Sequence, residues 1–378
     1  MWKSRGARGA LAVAPRVSMK AGAAGRLEEI DVLRGLAAMV VVLSHYSTHC
    51  VKFFQQAPFG FQLDTIYGFY AVQLFFIISG FVISLTIEKS RSWRDFAFSR
   101  FSRLYPCYWA AITLMVLLEM LVFRQKFWVG GYVTNLTMLQ EFLGFPNLDN
   151  VFWTLTVELA FYAIMGALFA IGLFARIELV AASWLAVACV WSLVDQYLAF
   201  GVPEMFARVF ILRHVPFFVA GITFYRVVTR GMTRRRLALI LAAFVAAGWI
   251  DGLPGPSAPA VELGDFLRRT GVAAILFTIF GAAILGWLRL TISPATLWLG
   301  GISYSLYLSH RNLGYSTLSY LLELNGPVAV VFLAAVAGAL VVAAALTYLV
   351  EQPSLRILRQ WYRIRAISPQ GIQEAGTS

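Results

Sequence analysis

The feature that most constrains this chain is a series of long apolar segments that recurs along its whole length. A transmembrane α-helix needs about 20 mostly apolar residues. The sequence holds ten candidates, at roughly 31–48, 66–87, 104–123, 151–173, 177–198, 206–226, 236–252, 270–288, 294–320 and 327–349. Of the 378 residues, 60% are hydrophobic and only 13% are charged. We therefore expect an all-α polytopic membrane protein, a bundle of about ten transmembrane helices.

The same composition excludes several other classes of protein. Intrinsic disorder requires low hydrophobicity. A disulfide-stabilised secreted domain requires cysteines at paired spacings, whereas the three cysteines here, Cys50, Cys107 and Cys189, lie far apart. The net charge of +12 comes mostly from basic residues in the segments between apolar stretches. We therefore expect a lipid bilayer as partner and no nucleic acid.

The basic residues also predict the orientation of the chain. Lysine and arginine collect in loops on the cytoplasmic side of a membrane. With ten spans, most of the 31 lysines and arginines fall on the side that holds both ends of the chain. Both termini are therefore predicted to be cytoplasmic. The predicted divisions are a disordered basic N-terminus at 1–29, a membrane domain at 30–360 and a cytoplasmic tail at 361–378.

Two polar side chains are predicted to share one face of the first span. Arg34 and His45 are eleven positions apart, close to three helical turns, which gives a rise of roughly 16 Å between them. Charged residues within spans are costly and are often functional. A cation at one end and an imidazole deeper inside suit a substrate that carries phosphate at one end and reacts at the other. Alternatively, Arg34 extends to the interface and His45 bonds a neighbouring helix.

Three further polar residues enter the third and fourth spans. Arg100 and Arg103 share a helix face at i,i+3 spacing, so their guanidiniums could hold phosphate oxygens in pairs. The alternative is an ordinary positively charged flank of a span. Glu158 lies about two turns into the fourth span, where a carboxylate is costly unless paired. Its candidate partners are His45, Arg311 and a substrate hydroxyl, and a purely structural ion pair is the alternative.

The ninth apolar segment is interrupted by hydroxyl groups and a histidine. Tyr304, Tyr307 and His310 share a face by i,i+3 spacing. Hydroxyl groups within a span either hold helices together or line a cavity, and both interpretations stay open. His45 and His49 lie at i,i+4, but no carboxylate or thiolate signature accompanies them, so we expect no metal site.

Taken together, these segments resemble the integral-membrane acyltransferases often called acyltransferase family 3, over about residues 28–360. The resemblance rests on six elements in order. They are Arg34-x10-His45, the stretch Val72–Phe81, Arg100-x-x-Arg103-x-x-Pro106, the stretch Trp153–Tyr162, the stretch Ser303–His310, and Val350-Glu351-Gln352-Pro353. Two positions depart from the family pattern, since Ala71 stands where glycine is frequent and Asn312 where proline is frequent.

The resemblance implies a membrane-embedded O-acyltransferase of the O-antigen, exopolysaccharide and nodulation-factor type. Such an enzyme would move an acyl group, acetyl by expectation, from acyl-CoA as co-substrate to a carbohydrate or glycolipid, with no permanently bound cofactor. The implied location is the bacterial cytoplasmic (inner) membrane. The implied roles are: phosphate binding by Arg34, Arg100 and Arg103; catalysis by His45, Arg34 and Glu158; and acceptor binding by Trp153, Tyr162, Tyr304 and His310.

Within this interpretation, His45 is either the general base on the acceptor hydroxyl or the carrier of an acyl-histidine intermediate. Two other classes of function remain as alternatives. A secondary transporter or flippase for a glycolipid or anionic substrate would show inverted repeats and paired broken helices, and no internal repeat is evident. A membrane assembly or sensor protein would tolerate the loss of Arg34 and His45 together. The acceptor, the acyl length and the oligomeric state stay open.

Overall fold

The computed structural model describes residues 28–60, 62–63, 65–124, 128–197, 204–252 and 263–367, and within these ranges the chain is helical with no strand. The helices are α1 Glu28–Phe54, α2 Thr65–Lys89, α3 Trp93–Leu121, α4 Val129–Asn135, α5 Trp153–Ala170, α6 Ile177–Tyr197, α7 Glu204–Val209, α8 Val215–Arg230, α9 Arg234–Gly252, α10 Leu263–Ile284, α11 Pro294–Ser309, α12 Arg311–Glu323, α13 Val328–Leu346 and α14 Gln352–Ile367. The predicted all-α class is confirmed.

Seven helical stretches in the described ranges are long and apolar enough to cross a membrane. They are Glu28–Phe54, Ile66–Lys89, Trp93–Leu121, Asn150–Ala170, Leu173–Asp195, Phe266–Ile284 and Val328–Ile364. The prediction of a multi-pass membrane protein agrees with this finding, whereas ten such helices are not found. Three predicted spans account for the difference. The span at 206–226 is divided between α7 and α8, and the span at 294–320 breaks at His310. The span at 236–252 belongs to α9, a helix that begins with three arginines, Arg234, Arg235 and Arg236.

The centre of the bundle is α1, which packs between α2 and α11. Close backbone approach makes this packing possible, because a Cβ added to Gly35 on α1 would lie 2.7 Å from the backbone nitrogen of Gly300 on α11. On the other side of α2, a Cβ on Gly221 of α8 would collide with the carbonyl oxygen of Ile77. Small residues of this kind let membrane helices approach closely. The polar side chains of α1, α2 and α11 are therefore held near one another.

The C-terminal helices form one long rod with an irregular turn in the middle. Between α13 and α14, residues Thr347–Glu351 form a π-helical turn that closes with a hydrogen bond from the Gln352 amide to the Thr347 carbonyl. A π-turn inserts one extra residue and often occurs at functional sites. Here it carries Glu351, whose side chain is only 3% exposed, into the bundle. The apolar stretch 328–364 is longer than the roughly 30 Å hydrocarbon core requires.

The predicted terminal segments fall mostly outside the described residues. Of the predicted N-terminal segment at 1–29, only Glu28 and Glu29 are described, and they begin α1. Of the predicted tail at 361–378, residues 361–367 continue α14. In that helix Tyr362 donates a hydrogen bond to Asp95 (2.6 Å) and stacks on Phe98, with ring centroids 4.2 Å apart. These contacts dock the start of the predicted tail against α3.

Candidate functional site

A first cavity, between α1, α2, α3, α5 and α11, brings together most of the site residues predicted from the sequence. It holds about 850 Å³ of empty space, including space open to the surroundings. Its polar lining consists of Arg34, Ser79, Arg100, Arg103, Thr154, Glu158, Tyr162, Ser303, Tyr304 and Tyr307. Apolar residues of α2, α3 and α5 complete the wall. We call it the arginine cavity, because three guanidiniums from two helices contribute to it.

The most firmly held of the three arginines is Arg103. Its guanidinium forms an ion pair with Glu351 and lies over the ring of Tyr304, 5.7 Å from the centroid. The second carboxylate oxygen of Glu351 accepts a hydrogen bond from Ser305 (3.1 Å), and Thr347 donates to Ser305 (2.8 Å). A buried carboxylate with several partners fixes the direction of the arginine that it binds. The π-turn thereby orients Arg103.

Arg34 and Arg100 are held more loosely than Arg103. The guanidinium of Arg34 lies 3.8 Å from the Asp31 carboxylate on the same helix. Arg100 donates to the Ser99 hydroxyl (3.1 Å) and lies 5.8 Å from the centre of the Tyr162 ring, while its Nε is buried without a hydrogen-bond partner among the described residues. Two guanidiniums with donors to spare are suited to bind phosphate oxygens.

Glu158 adds a negative charge to the same cavity. The hydroxyl of Tyr162 donates to its carboxylate. The two side-chain partners considered from the sequence are engaged elsewhere, since His45 bonds His310 and Arg311 forms an ion pair with Asp149 (3.2 Å). Glu158 and Tyr162 therefore act as a pair, one turn apart on α5, facing the arginines.

A second cavity lies on the other side of α2 residue Val72 and holds about 1120 Å³ of empty space, including space open to the surroundings. We call it the histidine cavity. Its lining residues are His45, Ile66, Gly68, Phe69, Tyr70, Val72, Asn150, Val151, Trp153, Arg268, Arg269 and Tyr307. Arg34 and His45 thus line different cavities, although both project from α1. The rise predicted from their spacing separates the cavity lined by three guanidiniums from the cavity lined by the His45 imidazole.

Hydrogen bonds determine which nitrogen of His45 carries the proton. His310 Nδ1 lies 3.0 Å from the Tyr307 carbonyl oxygen and 3.2 Å from that of Leu306. Because a carbonyl oxygen only accepts, neutral His310 is protonated on Nδ1 and its Nε2 is an acceptor. His45 Nδ1 lies 3.0 Å from that Nε2 and must therefore donate to it. This leaves His45 Nε2 with a free lone pair, as a general base requires.

The joint between α11 and α12 holds this histidine pair in place. His310 is completely buried and is the residue between the two helices. Its carbonyl oxygen accepts a hydrogen bond from Tyr46 (2.7 Å). Directly after His310, the Arg311 guanidinium (3.2 Å) and the backbone N–H of Asn312 (3.0 Å) donate hydrogen bonds to Asp149. The loop before α5 is therefore clamped to the start of α12.

The predicted site residues divide between the two cavities. Tyr162 and Tyr304 line the arginine cavity, Trp153 lines the histidine cavity, and His310 lines neither of these two but supports His45. The sequence-based reasoning missed the roles of Glu351 and Asp149 as partners of arginines. The role of Glu351 could have been suspected from the sequence, because its carboxylate lies at the end of an apolar segment. No sequence feature pointed to Asp149. Within the described ranges, no group of three or more His, Cys, Asp or Glu side chains could hold a metal ion.

Comparison with known proteins gives one family. The sequence pattern described as "Acyltransferase domain" (acyltransferase family 3) matches residues 27–348. Nodulation protein 10 of Rhizobium leguminosarum bv. viciae is 24% identical over 373 residues, 88% of this chain and 94% of the relative. Acyltransferase MdmB of Streptomyces mycarofaciens is 30% identical over 148 residues, and that match spans 36% of this chain and 38% of the relative. No solved structure gives a significant match.

Proposed function

Because the chain belongs to acyltransferase family 3, we propose that it is an O-acyltransferase that moves an acyl group from cytoplasmic acyl-CoA to a hydroxyl of a cell-surface or lipid-linked carbohydrate. Acetyl is the expected acyl group. Acyl-CoA is a co-substrate in this proposal, and no cofactor stays bound. The observation that carries it is the separation of three arginines and a proton-accepting histidine into two neighbouring cavities.

The proposed setting is the bacterial inner membrane, with ten spans and both termini in the cytoplasm. In this topology α8, α9 and the broken pair α11–α12 complete the set begun by the seven long apolar helices. The arginine cavity then opens toward the cytoplasm, because Arg100 and Arg103 lie in the second and third turns of α3, after a basic loop. The histidine cavity opens toward the opposite side. Donor and acceptor would approach from opposite faces of the bilayer.

The donor is held at its phosphates in this proposal. Coenzyme A carries phosphates at one end and the thioester at the end of a long flexible arm. Arg34 and Arg100, with donors to spare, and the fixed Arg103 would bind the phosphates, while Glu158 and Tyr162 would bound the path of the arm. The rise of roughly 16 Å between Arg34 and His45 can be bridged by the extended arm. The thioester would thus arrive beside His45 while the phosphates stay at the arginines.

The reaction follows from the protonation of the histidine pair. His45 Nε2 takes the proton of the acceptor hydroxyl, and the hydroxyl oxygen attacks the thioester carbonyl carbon. A carbon–oxygen bond forms, the carbon–sulfur bond breaks, and the CoA thiolate leaves with the proton returned by His45. In the covalent variant, Nε2 itself attacks the carbonyl carbon, the carbon–sulfur bond breaks and the CoA thiolate leaves. The acceptor hydroxyl oxygen then attacks the same carbon, the bond to Nε2 breaks, and the hydroxyl proton is taken up by the thiolate. His310 is a positioning residue in either case, because it fixes the proton on His45 Nδ1.

The acceptor would occupy the histidine cavity. Trp153 offers an aromatic face and Asn150 an amide to a sugar, a combination of apolar surface and a few polar groups that is typical of ligand sites. His45 lines the same wall. A sugar ring against Trp153 would therefore place a hydroxyl within reach of the base.

A deletion strain tests the proposal. Loss of the gene should remove an ester from a surface or lipid-linked glycan, seen by NMR and mass analysis, and the native chain should restore it. His45→Ala should not restore it at equal membrane expression. His49→Ala is the matched control, because His49 lies one turn along α1, bonds Ser319 and lines neither cavity. Normal acylation by the His45→Ala variant, or an activity that needs no acyl-CoA, would contradict the proposal.

A further inference from the structure

We propose that Val72 and Tyr307 form a septum between the two cavities that limits the length of the acyl group able to reach His45. The inference rests on the proposed function and deepens it, since it concerns the choice among acyl donors. Among the described residues, Val72 and Tyr307 are the two that line both the arginine cavity and the histidine cavity. Of these two cavities, Arg34, Arg100 and Arg103 line only the first and His45 only the second. A thioester held by its phosphates must therefore pass this pair.

The septum leaves little room. Val72 is 6% exposed and Tyr307 is 8% exposed, so each side chain shows only a narrow strip of surface, divided between two cavities. Buried side chains pack at close to crystal density, and a single additional methylene is felt. An acyl group that crosses here must therefore be thin and short, or must displace one of the two side chains.

Tyr307 is the fixed side of the septum. Its hydroxyl donates to the Val151 carbonyl (3.3 Å) and accepts a hydrogen bond from Thr154 (2.9 Å). Thr154 lines the arginine cavity and Val151 lines the histidine cavity, so the hydroxyl is anchored at the boundary itself. The backbone carbonyl of Tyr307 accepts from His310. Movement of Tyr307 would disturb the hydrogen bond that sets the protonation of the histidine pair.

Val72 is the adjustable side. Its isopropyl group makes only van der Waals contacts, and it is replaceable by smaller or larger apolar groups without loss of a hydrogen bond. Val72→Ala removes two methyl groups from the septum, and Val72→Ile adds one. The two changes should move donor selectivity in opposite directions, toward longer acyl groups with alanine and toward shorter ones with isoleucine.

The experiment compares acyl donors in membranes of the deletion host, which retain the native acceptor. Full-length protein is supplied with acetyl-, propionyl-, butyryl- or hexanoyl-CoA, and transfer is followed by acceptor-dependent release of the CoA thiol and by mass analysis of the ester. The native chain should prefer acetyl. Val72→Ala should raise the butyryl-to-acetyl ratio about tenfold or more, the order of discrimination for extra methylenes in an apolar pocket. Val72→Ile should lower the propionyl-to-acetyl ratio.

Val82→Ala is the matched control, because Val82 lies on the same helix but lines only the arginine cavity. It can change the rate with every donor, but the ratio between donors should stay within about twofold of the native value, far below one methylene's discrimination. Ratios unchanged in both Val72 variants, or shifted equally by Val82→Ala, would overturn the septum and leave the acyltransferase intact. No transfer from any acyl-CoA by the native chain would overturn the proposed function, and the septum with it.

Discussion

The two cavities hold their important side chains by different means. In the arginine cavity, Arg103 is fixed by an ion pair with Glu351, while the contacts among the described residues leave Arg34 and Arg100 with donors to spare. In the histidine cavity, a directed chain of hydrogen bonds runs from His45 through His310 to a backbone carbonyl. Charge attracts a ligand without demanding exact geometry, whereas proton transfer demands the correct nitrogen. In the proposed function, the first cavity is therefore suited to donor binding and the second to proton transfer.

The largest expected effect after loss of His45 itself comes from its supporting histidine. His310→Phe removes the acceptor for His45 Nδ1–H, so the proton is free to sit on Nε2, where it blocks the base. We expect kcat to fall about tenfold to a hundredfold, by analogy with the loss of the partner that orients a metal-binding histidine, with little change in KM for acyl-CoA. Steady-state kinetics over a pH series would measure both parameters.

His310→Gln provides the control for that prediction, because its amide oxygen is able to accept from His45. It should recover part of the lost activity and part of the native pH profile. A purely structural role for His310 would lower the amount of folded protein and leave the pH profile of the remaining enzyme as it is. That outcome would remove the contrast between the two cavities.

An effect of intermediate size is expected from the loosely held arginine. Arg100→Ala removes a guanidinium with donors to spare, so KM for acyl-CoA should rise about tenfold while kcat changes little, since an ionic hydrogen bond to a bound ligand contributes about 1.5–3 kcal/mol. Arg94→Ala is the matched control. Arg94 lies on the same helix over the Trp93 ring and does not line the arginine cavity. Equal KM values in the two variants would return Arg100 to an ordinary basic flank.

The sequence predicted the positions of polar residues along each helix better than the side chains with which these residues pair. Helical spacing alone predicts a shared face for Arg34 and His45, and another for Arg100 and Arg103. In the structure Arg100 and Arg103 line the same cavity, whereas Arg34 and His45 line neighbouring cavities. The partners depend on packing between distant segments. Arg103 pairs with Glu351 because a π-turn directs Glu351 into the bundle, and no local sequence pattern predicts this turn.

The same limit applies to Glu158 and to the histidine pair. From the depth of Glu158 in its span, the sequence suggests His45 and Arg311 as its partners. In the structure His45 bonds His310 and Arg311 pairs with Asp149. Glu158 instead accepts a hydrogen bond from Tyr162 on the same helix. The break at His310 could be suspected from its polar neighbours. The contact between His310 Nε2 and His45 depends on how α11 packs against α1. This packing is set by the whole bundle and cannot be predicted from either helix alone.

The smallest expected effect on activity tests whether the arginine cavity depends on geometry after all. Glu351→Gln keeps the shape of the side chain and a hydrogen-bonding oxygen but removes the charge opposite Arg103. We expect the protein to lose about 1–3 kcal/mol of stability, as for a weakened buried hydrogen bond to a charged group, measured as a lower Tm in detergent. Arg103 becomes less constrained and not less charged, so KM for acyl-CoA should change less than about threefold, well short of the loss of a charged hydrogen bond. A KM change as large as that of Arg100→Ala would show that the direction of Arg103, and not only its charge, selects the donor, and the two cavities would then resemble each other in design.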